Sequence, residues 1–75
     1  MKGQTMEYET ALQKVINAAA FAKPGALIQY AASYASAGKG MTGHERHVQC
    51  LYILNNLSQW RGEEAKAVKE ALKKF

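Results

Sequence analysis

The sequence predicts an all-α protein, a compact bundle of three to four short helices. Several stretches place apolar residues three and four positions apart, as on one face of a helix, and no stretch alternates as a strand does. Turn and cap signals separate these stretches. Because the chain has only 75 residues, 48% of them hydrophobic, we expect one small domain over residues 1–75.

The first helix is predicted over residues 5–22, with Thr5 as its N-cap. Its apolar stripe consists of Tyr8, Leu12, Val15, Ile16, Ala19 and Ala22. Met6 and Phe21 fall off this stripe, so we expect both to pack at the ends of the helix.

The second helix is predicted to carry Pro24 in its first turn, where the missing N–H is harmless. Its apolar face consists of Leu27, Tyr30, Ala31, Tyr34 and Ala35. It is expected to end at Ala37 and Gly38, with Gly38 as a left-handed C-cap.

The third helix begins with a capping-box pattern formed by Thr42 and Glu45. Its predicted apolar arc is wide: His47, Val48, Cys50, Leu51, Tyr52, Leu54 and Leu57. Ile53 falls on the opposite side with Arg46 and Gln49, so this pattern predicts an exposed isoleucine.

The fourth helix is expected to start between Ser58 and Gly62. Its apolar stripe consists of Trp60, Val68, Ala71, Leu72 and Phe75. Early glutamates and late lysines complement the helix dipole. We expect Trp60 to wedge between the third and fourth helices.

Composition narrows the function classes. The formal charge is +4, which permits nucleic-acid or acidic-protein partners without requiring them. The absence of aspartate disfavours most oxygen-ligand metal sites and phosphoryl-transfer sites. One cysteine, no signal-peptide pattern and no membrane-spanning stretch together predict a cytoplasmic protein.

His44, His47 and Cys50 follow one another at three-residue spacing, which is a partial zinc-ligand pattern. No fourth ligand is evident, and a mid-helix cysteine on an apolar arc is typical of core packing. The chain also lacks a serine-nucleophile elbow and a complete phosphate-binding loop. We therefore expect no metal, no cofactor and no enzymatic activity.

The best candidate surface is the second helix, because Lys23 is the only charged residue between Lys14 and Lys39. Tyrosines among small residues favour an interface, since tyrosine buries area while its hydroxyl stays solvated. The hypothesis is a non-enzymatic module for protein–protein contact, with a homodimer as one form. Its predicted contact residues are Gln29, Tyr30, Ser33, Tyr34 and Ile53.

The alternative is a small basic nucleic-acid-binding protein. Its predicted contact residues are Arg46, Arg61, Lys66, Lys69 and Lys73. Opposite charges three and four positions apart on the last helix equally suit a solvated face. Glu63 and Glu64 would repel phosphates at the start of a recognition helix, which disfavours a helix-turn-helix.

Residues 52–65 contain an N-L-x-x-W-R-G-x-x-A core, from Asn56 to Ala65. With this core, residues 41–75 resemble small uncharacterised helical proteins of tailed bacteriophages and prophages. The resemblance implies a phage or prophage origin, and with it a modulator of a host protein as one form of the binding module. It brings no activity, cofactor or catalytic residue.

Overall fold

The computed structural model describes residues 6–75, which form four α-helices joined by short turns. The helices are α1 (Tyr8–Ala19), α2 (Leu27–Gly38), α3 (Gly43–Asn55) and α4 (Glu63–Leu72). Residues 6–75 contain no strand, so the predicted all-α class is confirmed. None of these helices has the length and apolar character needed to cross a bilayer.

The helices form a closed ring of neighbours. α1 packs against α2 and α4, and α3 packs against the same two helices. The Cα atoms extend over 32 × 30 × 16 Å, so the domain is flat and has two broad faces. This layout separates the surface around α2 from the surface around α4.

The core lies between the helices. Its largest fully buried side chains are Leu12, Val15, Cys50, Ile53, Leu57, Val68 and Leu72. Ala11, Ala31 and Ala35 are also fully buried. Such small side chains let α1 and α2 pack closely, which accounts for alanine at these buried positions.

Helix α1 is shorter than predicted at both ends. It begins at Tyr8 after the N-cap residue Glu7, and Thr5 lies outside the described residues. It ends at Ala19, so Phe21 falls in the following turn and is 92% exposed. The prediction that Phe21 packs at the helix end is therefore wrong, whereas Met6 is partly buried against the core as expected.

Helix α2 differs from the prediction at its two special residues. Pro24 lies in the turn before α2, not in its first turn. Gly38 is the buried last residue of the helix and is not left-handed; the positive φ of 83° belongs to Gly40. The reason for a glycine at 38 is space, because Tyr8 and Gln49 approach it closely.

Helix α3 is rotated by about a third of a turn from the predicted orientation, so that Cys50 and Leu57 remain buried as predicted. Ile53, predicted to be exposed, is fully buried, and Gln49 is only 8% exposed. Leu51 and Tyr52, predicted to be buried, are 48% and 47% exposed. Thr42 is the N-cap residue as expected, but its side chain makes no capping hydrogen bond.

Helix α4 begins at Glu63, after Gly62 with a φ of 114°. Trp60 therefore lies in the turn before α4 and not on its apolar stripe. It is nevertheless partly buried against the core. Val68, Ala71 and Leu72 are buried as predicted.

Candidate protein-binding surface

Three tyrosines form an exposed aromatic surface on α2 and α3, which we call the tyrosine face: Tyr30, Tyr34 and Tyr52. Their side chains are 56%, 40% and 47% exposed, respectively. Tyr30 and Tyr34 are four residues apart and hence neighbours on α2. The rings of Tyr34 and Tyr52 lie 5.5 Å apart between centroids, which joins the two helices into one surface.

The polar side chain of Gln49 sets how α3 lies against α2. Its Nε2 donates a 2.7 Å hydrogen bond to the backbone oxygen of Tyr34. This contact turns the side of α3 that carries Gln49 and Ile53 inward. Tyr52 is consequently left at the surface, where its ring meets that of Tyr34.

The tyrosine face carries little charge. Helix α2 has no acidic or basic residue from Leu27 to Gly38. On α3, the backbone oxygen of Tyr52 accepts a 2.9 Å hydrogen bond from the Asn56 amide. A surface of aromatic rings on a helix without charged residues suits burial against another protein, because little charge must be desolvated.

The five predicted partner-contact residues differ in how exposed they are. Tyr30, Ser33 and Tyr34 are exposed on α2. Gln29 is half-buried, and its Nε2 donates to the backbone oxygens of Ala19 at 2.8 Å and Ala22 at 3.4 Å, so it closes the end of α1.

Ile53 is fully buried and cannot contact a partner, so its assignment to the contact surface is wrong. Sequence reasoning missed Tyr52. The buried stripe of Gln49, Cys50, Ile53 and Leu57, which the half-buried Arg46 extends, has helical spacing. Placing that stripe inward would have left Tyr52 outside.

The five predicted nucleic-acid contact residues do not all lie on one surface. Arg61, Lys66, Lys69 and Lys73 line one open groove together with Trp60. Arg46 lies elsewhere: its guanidinium carbon is 5.4 Å from the ring centroid of Tyr8 and 4.8 Å from that of Phe75. At these distances it makes cation–π contacts inside the fold.

The histidines and the cysteine of α3 do not form a reactive cluster. His44 and His47 are exposed, with ring centroids 6.3 Å apart, whereas Cys50 is buried. Burial raises the pKa of the Cys50 thiol, and the nearby Arg46 opposes this only in part. Within residues 6–75, no three His, Cys, Asp or Glu side chains converge on a point that would hold a metal ion.

Comparisons with known proteins assign no function to this surface. No protein-family model, curated protein or solved structure matches the chain.

Proposed function

We propose that the chain is a non-enzymatic binding module whose tyrosine face contacts a protein surface. The observation that carries this proposal is the continuity of Tyr30, Tyr34 and Tyr52, each about half exposed, across two helices. Tyrosine is enriched at protein interfaces, and charged residues are depleted at the centres of these interfaces.

The occupant favoured by the charge distribution is a second copy of the chain. Each copy carries a formal charge of +4, so two copies repel each other wherever their basic surfaces meet. An isologous contact places one patch against the same patch of the partner. A contact through the uncharged face of α2 brings no like charges together. A chain of this size also gains stability from the additional surface that a dimer buries.

The test is the mass in solution, measured by light scattering over a concentration series. We expect the wild-type chain to dimerise, and Tyr30→Glu and Tyr34→Glu to shift the equilibrium to monomer because each buries an unpaired charge. Thr10→Glu is the control, since Thr10 is exposed on the side of α1 that faces α4. A monomeric wild type at every concentration, or an equal effect of the control, would contradict self-association.

In an alternative form of the proposal, the tyrosine face binds a different protein instead of a second copy of the chain. The resemblance of residues 41–75 to phage proteins favours a host protein in that role. A cytoplasmic location is part of this proposal and is supported by the single cysteine, which is free and buried.

A further inference from the structure

A second candidate surface lies on the opposite part of the ring, between α4 and the turn that precedes it. Trp60, Arg61, Lys66, Lys69 and Lys73 line an open groove of about 500 Å³, which we call the tryptophan groove. We propose that the tryptophan groove binds single-stranded nucleic acid. This proposal is independent of the tyrosine face, since α2 and α4 are not neighbours.

The cations follow one side of the groove. Lys66, Lys69 and Lys73 are spaced by three and four residues and therefore form one stripe of α4. From Lys66 to Lys73 the helix rises by about 10 Å, at 1.5 Å per residue. Arg61 adds a fourth cation from the turn. This arrangement gives a strand of phosphates several positive partners in a row.

The acidic residues of α4 oppose these cations only in part. Glu70 is the one carboxylate among the residues that line the groove. Glu64 is held on the α1 side, where it pairs with Lys14 Nζ at 3.0 Å. Of the two glutamates at the helix start, Glu64 is thus paired on the α1 side, whereas Glu63 stays exposed.

Trp60 supplies an aromatic surface beside the cations. Lys69 Nζ donates a 2.7 Å hydrogen bond to the backbone oxygen of Trp60, which fixes the turn against α4. The indole is only partly buried. A groove that combines basic side chains with a partly exposed aromatic ring is typical of single-strand binding, in which bases stack on the ring and phosphates contact the cations.

The same features disfavour a duplex. Stacking on Trp60 requires an unpaired base, because duplex bases are already stacked on their neighbours. Arginine, asparagine and glutamine are among the side chains that read base edges from a helix in the major groove, and α4 carries none of them. The groove therefore predicts little sequence preference.

Trp60 is the only tryptophan of the chain, so its fluorescence reports on the groove directly. We expect oligothymidylate to quench this fluorescence. With Arg61, Lys66 and Lys73 each neutralising one phosphate, the affinity should fall about 20-fold between 50 and 200 mM salt, from the slope for single strands. A duplex of equal length should bind more weakly and quench less.

Two adjacent lysines provide the matched variants. Lys73 lines the groove, whereas Lys74 lies on the α1 side of the helix. Lys73→Gln should weaken binding about eightfold at 50 mM salt, the loss expected for one phosphate contact. Lys74→Gln, with the same loss of charge, should change the affinity less than about twofold.

Three results would overturn the proposal. The first is the absence of quenching by oligothymidylate at low salt. The second is an equal loss of affinity in Lys73→Gln and Lys74→Gln, which would indicate attraction to the net charge alone. The third is equal quenching by a duplex or by polyglutamate, since the groove would then bind polyanions without using the stacking surface of Trp60.

Discussion

The hydroxyl group of Tyr8 donates a 2.7 Å hydrogen bond to the backbone oxygen of Gly38, thirty residues away. This buried bond joins the first turn of α1 to the last turn of α2. A Cβ atom at position 38 would lie 2.8 Å from Tyr8 Oη and 2.9 Å from Gln49 Cγ. Three helices therefore meet at a point where only a hydrogen atom fits as the side chain.

Tyr8→Phe tests the hydrogen bond by itself. Phenylalanine keeps the aromatic contact with Phe75, whose ring centroid lies 5.5 Å from that of Tyr8. It leaves the buried oxygen of Gly38 without this donor, so we expect the free energy of unfolding to fall by about 1–2 kcal/mol. Urea denaturation at neutral pH measures the loss. An unchanged midpoint would show that the bond contributes nothing net.

The buried hydrogen bond between Tyr8 and Gly38 also predicts that stability depends on pH. Burial, followed by the charges of Cys50 and Glu9, raises the pKa of Tyr8 above its ordinary 10.0, and Arg46 opposes this. The folded chain therefore keeps the phenol protonated where the unfolded chain loses the proton. The stability that Tyr8 contributes should be complete below pH 10 and should decline as the pH rises above it.

Comparison with Tyr8→Phe isolates this effect from the other titrating groups. The difference in unfolding free energy between wild type and variant should be largest at neutral pH and should narrow above pH 10. Urea denaturation of both proteins across that range provides the measurement. A constant difference would mean that the Tyr8 pKa is the same in the folded and unfolded chains.

Gly38→Ala tests the close approach of the three helices. Alanine favours a helix over glycine by about 1 kcal/mol, so propensity alone predicts stabilisation. Overpacking against Tyr8 and Gln49 costs about 1–3 kcal/mol, and we expect the net effect to be a loss of about 1 kcal/mol. In the Tyr8→Phe background the loss should be smaller, because one of the two close atoms is gone. Thermal unfolding of the four proteins completes the cycle.

Sequence reasoning succeeded where local pattern decides the structure and failed where a distant partner does. The buried stripe of α4 follows its apolar spacing, as predicted. On α3, hydrophobicity alone assigns Arg46 and Gln49 to solvent. Their partners come from other elements: the rings of Tyr8 and Phe75, and the backbone of Tyr34. Only the assembled fold supplies these partners.

The tyrosine face, too, was predictable from the sequence only in part. Tyr30 and Tyr34 are exposed on α2, where the uncharged sequence suggested a contact surface, and their role in binding stays a prediction. Tyr52 was missed because its exposure follows from the orientation of α3. Gly38 was assigned to the wrong conformation for a related reason, since the side chains that crowd it come from α1 and α3.

Ile53 and Leu51 test the orientation of α3 as a matched pair. Ile53→Ala should cost about 2–5 kcal/mol, because it opens a cavity in the core. Leu51→Ala should change stability by less than about 0.5 kcal/mol, since Leu51 is about half exposed. Urea denaturation distinguishes the two results clearly. Equal losses would contradict an α3 orientation that buries Ile53 and exposes Leu51.

Cys50 reports on opening of the core, because it is the only thiol and is 1% exposed. In the folded chain the thiol is inaccessible, and its raised pKa keeps it protonated at neutral pH. Only the thiolate reacts readily. Iodoacetamide should therefore modify Cys50 through unfolding, at a rate that follows the population of open molecules.

The Ile53→Ala variant turns this into a quantitative test. A loss of stability of at least about 2 kcal/mol raises the open population, and hence the alkylation rate, about 30-fold or more. Leu51→Ala should leave the rate nearly unchanged, because it does not alter the core. Mass spectrometry of the single adduct over time gives both rates. Rapid alkylation of the wild-type protein, at the rate of the unfolded chain, would instead place Cys50 at the surface.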